Sequence, residues 1–337
     1  MSIRIIKLSR ACELPPEWDV LAEREQNIYL YRKFLEFIEQ TEADYEPTYY
    51  LFYEDERLDS CFIAYRRRGY NVAMFTPISF KIRVTMIYLP MSVTQSGIII
   101  GTLRDEVFAE IRRIRGYKMI LNLTDGNAPG FATGRTCSKC ILDINFSSFD
   151  DYSARLRSPY RNRLKKVFKR ARELNIRYID NRSEFTDEMY GMYLSIQQKS
   201  KIKIETLSKE YFRGEMFKMF VAELAGKTVG FVQLLENGDE LIFEFVGVDQ
   251  ATNASIPVYH RMLFEIIRYG IENGFKRIDF GQTADDTKLK LGCHYETLYA
   301  ALHHSNPLIN WGCKRIARFI EFKPLTTEFH VFKEDDE

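Results

Sequence analysis

The sequence predicts a mixed α/β protein made of two tandem halves, each an α+β arrangement of helices on a mixed sheet, the second more complete. Three observations carry this prediction. At 337 residues the chain exceeds a comfortable single core, so two domains of ordinary size are expected. Apolar periodicities give the order β-α-α-β-β-β-β-α-β in the first half and β-α-α-β-β-β-α-β-α-β in the second. This is a repeat of architecture, with no matching residues at a fixed offset. Between the halves stands Arg155–Arg172, which holds nine Lys or Arg and no Asp or Glu. The expected boundaries are residues 1–150, residues 151–325 and a charged tail at 326–337.

In the first half, residues 1–12 read as a strand, and Pro15-Pro16-Glu17-Trp18 opens a helix running to about Glu23. Tyr29–Glu39 is a second amphipathic helix. Thr48–Tyr53 and Asp59–Arg66 form a hairpin around the charged turn Glu54-Asp55-Glu56-Arg57, with further strands at Asn71–Thr76 and Val84–Leu89. Arg104–Arg115 is a helix, Met119–Leu123 a strand, and Ala128–Lys139, with Pro129, Gly130 and Gly134, a loop. Cys140–Ile144 is the strand that leads to the basic segment.

That segment should be helical. Ser158 suits an N-cap and Pro159 a first helical residue, while Leu164, Val167, Phe168, Ala171 and Leu174 make one apolar stripe. Ile176–Asp180 then reads as a strand, and Phe185–Lys199 and Ser208–Met216 as helices, the second capped by Ser208. Phe217–Leu224, Thr228–Leu235 and Glu240–Val248 make a meander through the tight turns Ala225-Gly226-Lys227 and Asn237-Gly238. Ile256–Glu272 is a long helix ended by Asn273-Gly274. Arg277–Phe280 is a strand, Asp285–Leu291 a short helix, Glu296–His304 the last strand and Trp311–Phe322 a closing amphipathic helix.

The 48 basic and 47 acidic side chains leave a net charge of +1, so a generally sticky polycation is excluded. Removing the nine cations of the basic segment (1 − 9) leaves −8 for the rest, so positive charge is concentrated there. Such a face suits phosphates: a nucleotide diphosphate, a coenzyme tail or an RNA backbone. The alternative is a solvated helix whose Lys and Arg stems cover apolar surface. An apolar content of 45% indicates a folded chain. No apolar run approaches the roughly 20 residues of a membrane span, and Met1–Cys12 has no signal-peptide core, so a cytoplasmic protein without a membrane span is expected. Six scattered cysteines read as reduced thiols.

Three stretches carry a family resemblance: Tyr160-Arg161-Asn162-Arg163-Leu164-Lys165-Lys166 running into Ala171 and the strand at Ile176; Ile278-Asp279-Phe280-Gly281-Gln282; and Lys288-Leu289-Lys290-Leu291-Gly292. With the order of elements, they resemble the GCN5-related (GNAT) acyltransferase fold in tandem. The arrangement is similar to Fem-type aminoacyltransferases of peptidoglycan bridge synthesis and to BioF2-like acetyltransferase-domain proteins. The resemblance implies two GNAT-like domains, the first degenerate, and an enzyme that forms an amide between an activated acyl donor and an amine. No cofactor would be permanently bound; the donor is an aminoacyl-tRNA or an acyl-CoA. The partners implied are tRNA and a small-molecule or peptidoglycan-precursor-like amine. The basic helix would hold phosphates, with Arg161 and Arg163 as best matches beside Tyr160, Lys165 and Lys166. Lys288 aligns with the family lysine near the donor carbonyl, and Thr287 stands where the family often has an aromatic residue.

The residues themselves bear on these roles. A cation beside a carbonyl that becomes an oxyanion stabilises charge where it develops, which suits Lys288; the alternative is an exposed lysine paired with Asp285 or Asp286. Lys290 is the lesser candidate. Gln282 and Thr283 follow the strand end at Gly281, where polar groups commonly meet ligand, although Thr283 also suits a helix cap. Asp279 could serve as a general base or as an acceptor for neighbouring backbone. Glu244, between Phe243 and Phe245, must reach a cleft or be paired; facing a cleft, its raised pKa suits amine deprotonation. The segment Asp249–Pro257 lacks the Gly-rich turn that grips a pyrophosphate at a helix N-terminus, which favours aminoacyl-tRNA over coenzyme A.

Cys137-Ser138-Lys139-Cys140 is one C-x-x-C without a second pair, and adjacent His303 and His304 would face opposite ways in a strand, so no metal is expected. Cys293 has only His294 beside it as a base, which disfavours a thiol nucleophile. Two rivals stand beside the aminoacyltransferase: an acyl-CoA-dependent N-acetyl- or N-acyltransferase, and a non-catalytic RNA- or nucleotide-binding module.

Overall fold

The computed structural model describes residues 2–89, 94–179, 182–200 and 206–333. Asp180, the expected end of a strand, and residues 334–337 of the expected tail lie outside the described residues. Residues 1–138 with 297–324 form one compact unit, and residues 139–296 with 325–337 the other.

The first unit begins with β1 (Ile3–Leu8), α1 (Pro16–Arg24), α2 (Arg32–Thr41), β2 (Pro47–Glu54), β3 (Arg57–Asn71), β4 (Lys81–Ile87), β5 (Ile98–Ile99), α3 (Arg104–Arg113), β6 (Tyr117–Leu123) and β7 (Ala132–Arg135). The second follows as β8 (Lys139–Asp143), α4 (Phe149–Arg155), α5 (Ser158–Arg170), β9 (Asn175–Ile179), α6 (Asp187–Lys199), β10 (Phe217–Leu224), β11 (Lys227–Asn237) and β12 (Glu240–Val248). It continues through α7 (Gln250–Ser255), α8 (Val258–Glu272), β13 (Arg277–Asp279), α9 (Asp285–Leu289) and β14 (His294–Glu296). The chain returns to the first unit for β15 (Tyr299–His304) and α10 (Pro307–Ile320).

The first sheet runs β1-β2-β3-β4-β6-β15-β7, with β5 paired to β3; the second runs β14-β8-β13-β12-β11-β10-β9. In each sheet one pair is parallel, β4 with β6 and β12 with β13, and a helix supplies each crossover: α3 in the first, α8 in the second. The doubled order read from the sequence is therefore present as a doubled sheet. The halves also trade a strand. β15 enters between β6 and β7, and β8 enters between β13 and β14. The expected boundaries at 150 and 325 are corrected accordingly: β8 pairs with β13 and β14, while β15 pairs with β6 and β7. The expected single strand Glu296–His304 is two strands, one per sheet.

Other differences are local. Ala132–Arg135, inside the expected loop, is a strand because β15 offers it a partner. Asn71–Thr76 is not a separate strand: β3 ends at Asn71 and a turn follows. Ser208–Met216 supplies one 3-10 turn, Tyr211–Arg213, although Ser208 Oγ does accept the amide of Tyr211 at 3.2 Å. The basic helix has Ser158 and Pro159 as its first residues and Arg157 as N-cap, so Ser158 does not cap it. Two helices have no counterpart among the expected elements: α4, whose cap Ser148 accepts the amide of Asp151 at 3.1 Å, and α7, capped by Asp249.

The first unit packs Val107, Phe108 and Ile111 of α3 on Phe52, Phe62 and Ile120 of the sheet. In the second, α8 buries Met262, Leu263, Ile266 and Ile267 against Leu234, Leu241 and Ile278, and α5 adds Leu164 and Val167. The predicted apolar stripe of the basic helix is this contact. Among the described residues, no helix is long and apolar enough to cross a membrane.

Candidate active site in the second unit

The site begins with a register error that the sheet keeps. Gln233 of β11 pairs with Phe245 of β12, but the next residue, Leu234, pairs with Phe243. Glu244 is the extra residue, a β-bulge, the device that re-aims a side chain beside many active sites. Two residues earlier β12 loses its other neighbour: its parallel pairing with β13 ends at Ile242 and Asp279. The chain beyond β13 stays with β8, where Phe280 N donates to Cys140 O at 2.9 Å and Cys140 N to Gly281 O at 3.1 Å. Two parallel strands thus part where Glu244 turns.

Glu244 is buried and accepts the Tyr211 hydroxyl at 3.3 Å. Burial raises its pKa well above the ordinary carboxylate value, and the charge of Asp279 adds to the rise. Asp279 is fully buried, and its Oδ1 accepts the amide of Gly281 at 2.7 Å. Both readings of Asp279 are thus compatible with its position: it supports the loop backbone and it adjoins the candidate base.

Past Gly281 the backbone is left-handed at three of four residues: Gly281 (φ 71), Thr283 (φ 67) and Ala284 (φ 54). For Thr and Ala this conformation is strained, and such strain gathers at ligand sites. It turns the chain so that α9 sends Lys288 inward, 3% exposed, with Nζ donating to Gln282 O at 2.8 Å. Burial lowers the Lys288 pKa, while Cys140, Asp279, Asp285 and Cys293 pull it upward. The expected alternative, an exposed Lys288 paired with Asp285 or Asp286, does not hold. Lys290 pairs with Asp286 at 2.7 Å, and Asp285 accepts the Tyr295 hydroxyl at 2.8 Å.

Cys140 and Cys293 beside this ammonium are buried, and burial pushes the Cys140 thiol up to about 12 and Cys293 well above the ordinary thiol value. Both are neutral at physiological pH. Two residues escaped the sequence reading. Tyr259, in the first turn of α8, is pushed up to about 12 by burial, with Cys140 and Cys293 adding to the rise, so its phenol stays a donor. Gln233 is fully buried; its Nε2 donates to Phe212 O at 3.5 Å, while Oε1 has no hydrogen-bond partner among the described residues. The only available signal was a polar residue in an apolar strand, Phe231-Val232-Gln233-Leu234-Leu235.

The basic helix is more engaged than its composition suggests. Arg161 donates to Ala154 O and Leu156 O at 3.3 and 3.4 Å, and Arg163 meets His260 Nε2 at 2.7 Å. Burial and Arg163 both lower the His260 pKa, which keeps its ring neutral. Arg157 donates to Phe332 O, Arg170 to Ser255 O, and Arg155 pairs with Asp151. Lys165, Lys166 and Lys169 are exposed, and Tyr160 packs half-buried on the core. The structure therefore gathers Glu244, Asp279, Gln282 and Lys288 at one end of the sheet, with exposed Thr283 in the same loop. It sets Tyr160, Arg161, Arg163, Lys165 and Lys166 on a helix joined to α8 through Arg163 and to α7 through Arg170.

Residues 154–289 match the family described as an acetyltransferase (GNAT) domain, a span within the second unit. No curated protein matches the chain. Among solved structures, the chain is similar to L-PGS from Bacillus licheniformis, with a TM-score of 0.54 and 11% identity over 93% of this chain and 98% of that one. It is similar to FemX, with a TM-score of 0.54 and 9% identity over 88% and 96% of the two chains. It is also similar to the tandem GNAT protein of the clavulanic acid biosynthesis pathway, with a TM-score of 0.53 and 10% identity over 91% and 99%. The fold is thus a tandem GNAT-like, acyltransferase-type fold, in line with the order read from the sequence. The domain match supports an acyltransferase.

Proposed function

We propose that this protein is a cytoplasmic transferase that joins an activated carbonyl to an amine, with aminoacyl-tRNA as donor and a small or peptidoglycan-precursor-like amine as acceptor. One observation carries the reading: a buried carboxylate on a bulge and a buried ammonium, at parting parallel strands, share Asp279 as a charged neighbour. The neutral amine attacks the ester carbonyl and the C–N bond forms. Lys288 faces the oxygen that gains charge, a contact of the kind whose removal costs about 10²–10³ in rate. Glu244, ionised, takes the proton the amine gives up. The C–O bond to the ribose then breaks, and the ribose oxygen leaves with that proton. Gln233 Oε1, a buried acceptor beside Tyr211–Phe212, would take an N–H of the incoming amine.

The donor preference rests on the N-terminus of α8. Its first two amides are already accepted, Val258 N by Ile256 O and Tyr259 N by Asn253 Oδ1. A pyrophosphate would have to displace both, whereas exposed Lys165, Lys166 and Lys169 remain open to a polyanionic backbone. Incubation of the protein with charged tRNA or acyl-CoA and candidate amines, read by mass spectrometry, tests this. An amide from charged tRNA that Lys288→Ala abolishes is expected. Product from acyl-CoA alone would transfer the reading to a coenzyme donor, and absence of product with either would overturn it.

A further inference from the structure

The last helix of the first unit has two apolar faces, and only one is used for folding. Its inner face sets Cys313, Ala317 and Ile320 beside Ala132 and Leu302 of the sheet. Its outer face leaves Leu308 81%, Trp311 61% and Phe319 63% exposed, with Ile316 beside them. Helical spacing puts Leu308, Arg315 and Phe319 in one outward line, flanked by Trp311 and Arg318. Arg315 lies over the Trp311 ring at 5.1 Å and Arg318 over the Phe319 ring at 4.8 Å.

A second exposed apolar piece belongs to the same unit. The turn between β3 and β4 leaves Ile78 70% exposed, with Phe80 beside it, and Phe75 from this turn meets Phe322 beyond α10 at 5.4 Å. Within their own stretches of sequence both pieces carry charge of one sign. Residues 60–89 hold five cations and no acid, and residues 307–320 hold three cations and no acid.

We propose that this surface docks on an anionic lipid bilayer, with α10 lying in the interface and the Ile78–Phe80 turn dipping beside it. Aromatic and aliphatic side chains interleaved with guanidinium groups suit the boundary between headgroups and acyl chains. A nucleic acid would use the cations and rings but gains little from exposed Leu308, Ile316 and Ile78. A second copy of the chain would bring like charges together.

The protein carries its own probe, because of its two tryptophans Trp18 is 1% exposed and Trp311 61%. The full chain is mixed with vesicles of phosphatidylglycerol and phosphatidylcholine in equal parts, and with phosphatidylcholine alone. Flotation with the anionic vesicles, a blue shift of tryptophan emission and its quenching by brominated acyl chains are expected. The paired substitution Arg315→Glu with Arg318→Glu should weaken vesicle binding by about tenfold or more. Leu308→Ser with Phe319→Ser should abolish quenching with the thermal midpoint unchanged. No flotation with anionic vesicles, or flotation without quenching, overturns the proposal. So does concentration-dependent dimerisation, or RNA binding, lost in the same variants while vesicle binding persists.

Discussion

Lys288 donates from Nζ to the main-chain oxygen of Gln282 at 2.8 Å, across the turn that holds left-handed Gly281, Thr283 and Ala284. The buried cation and the strained loop therefore fix one another. The carbonyl satisfies one of three ammonium donors, and Cys140, Asp279, Asp285 and Cys293 are near enough to favour the charge. An ammonium held dry in this way is already desolvated, the condition under which it stabilises an oxyanion most.

Lys288→Met should therefore separate folding from chemistry. Burial lowers the Lys288 pKa, so the folded state pays to keep the charge at neutral pH, and an apolar side chain of similar length removes that cost. The thermal midpoint is expected to hold or rise, while the single-turnover rate of amide formation falls by about 10²–10³. A collapse of the midpoint with the rate would assign Lys288 to the scaffold instead.

Glu244→Gln is a pH experiment. The folded pKa of Glu244 lies well above the ordinary carboxylate value of 4.5. Below 4.5 the folded and unfolded chains both hold the proton and the group contributes no pH dependence. As the pH rises past 4.5 the unfolded chain releases it first, so the native protein loses stability until the folded pKa is passed. The midpoint of the wild type should fall with rising pH relative to the Gln variant over that window. The wild-type rate should climb over the same range, since the base must be ionised to accept a proton.

The sequence made the meander, the long α8 and the short helix carrying Lys288 legible, because each rests on local signals: alternation, tight Gly turns and apolar periodicity. The strand exchange was not legible. Glu296–His304 has one continuous strand-like pattern, and nothing in it says that His294–Glu296 pairs with β8 while Tyr299–His304 pairs with β6 and β7. Partner choice is a non-local property. The same limit hid the bulge, since Phe243-Glu244-Phe245 reads as ordinary alternation until Gln233 and Leu234 fix the register. The charge of Arg155–Arg172 was plain, but not its use: main-chain oxygens at Ala154, Ser255 and Phe332 absorb arginines that composition alone leaves free.

Ala284→Gly probes the strained turn. Ala284 sits at φ 54 as the N-cap of α9, a conformation costing a residue with a Cβ about 1 kcal/mol that glycine does not pay. The substitution should raise the thermal midpoint slightly. If the strain serves to aim Lys288, the transfer rate falls at the same time. A stabilised variant with full activity would show that the turn only connects β13 to α9.

Lys165→Ala, Lys166→Ala and Lys169→Ala together test the donor. All three side chains are exposed on α5, away from its buried Leu164 and Val167, so the fold should be unaffected. If they contact phosphates of a tRNA, the slope of log affinity against log salt should shrink by about two to three for that ligand. Binding of an acyl-CoA, whose few phosphates cannot span the row, should change far less. Arg163→Ala is the control of opposite kind. It frees the half-buried His260 ring from its guanidinium at 2.7 Å, so the His260 pKa should rise and the junction of α5 with α8 should loosen, with the salt slope unaltered. A salt slope that follows Arg163 and ignores the three lysines would put the phosphates at the N-terminus of α8 and count for the coenzyme donor.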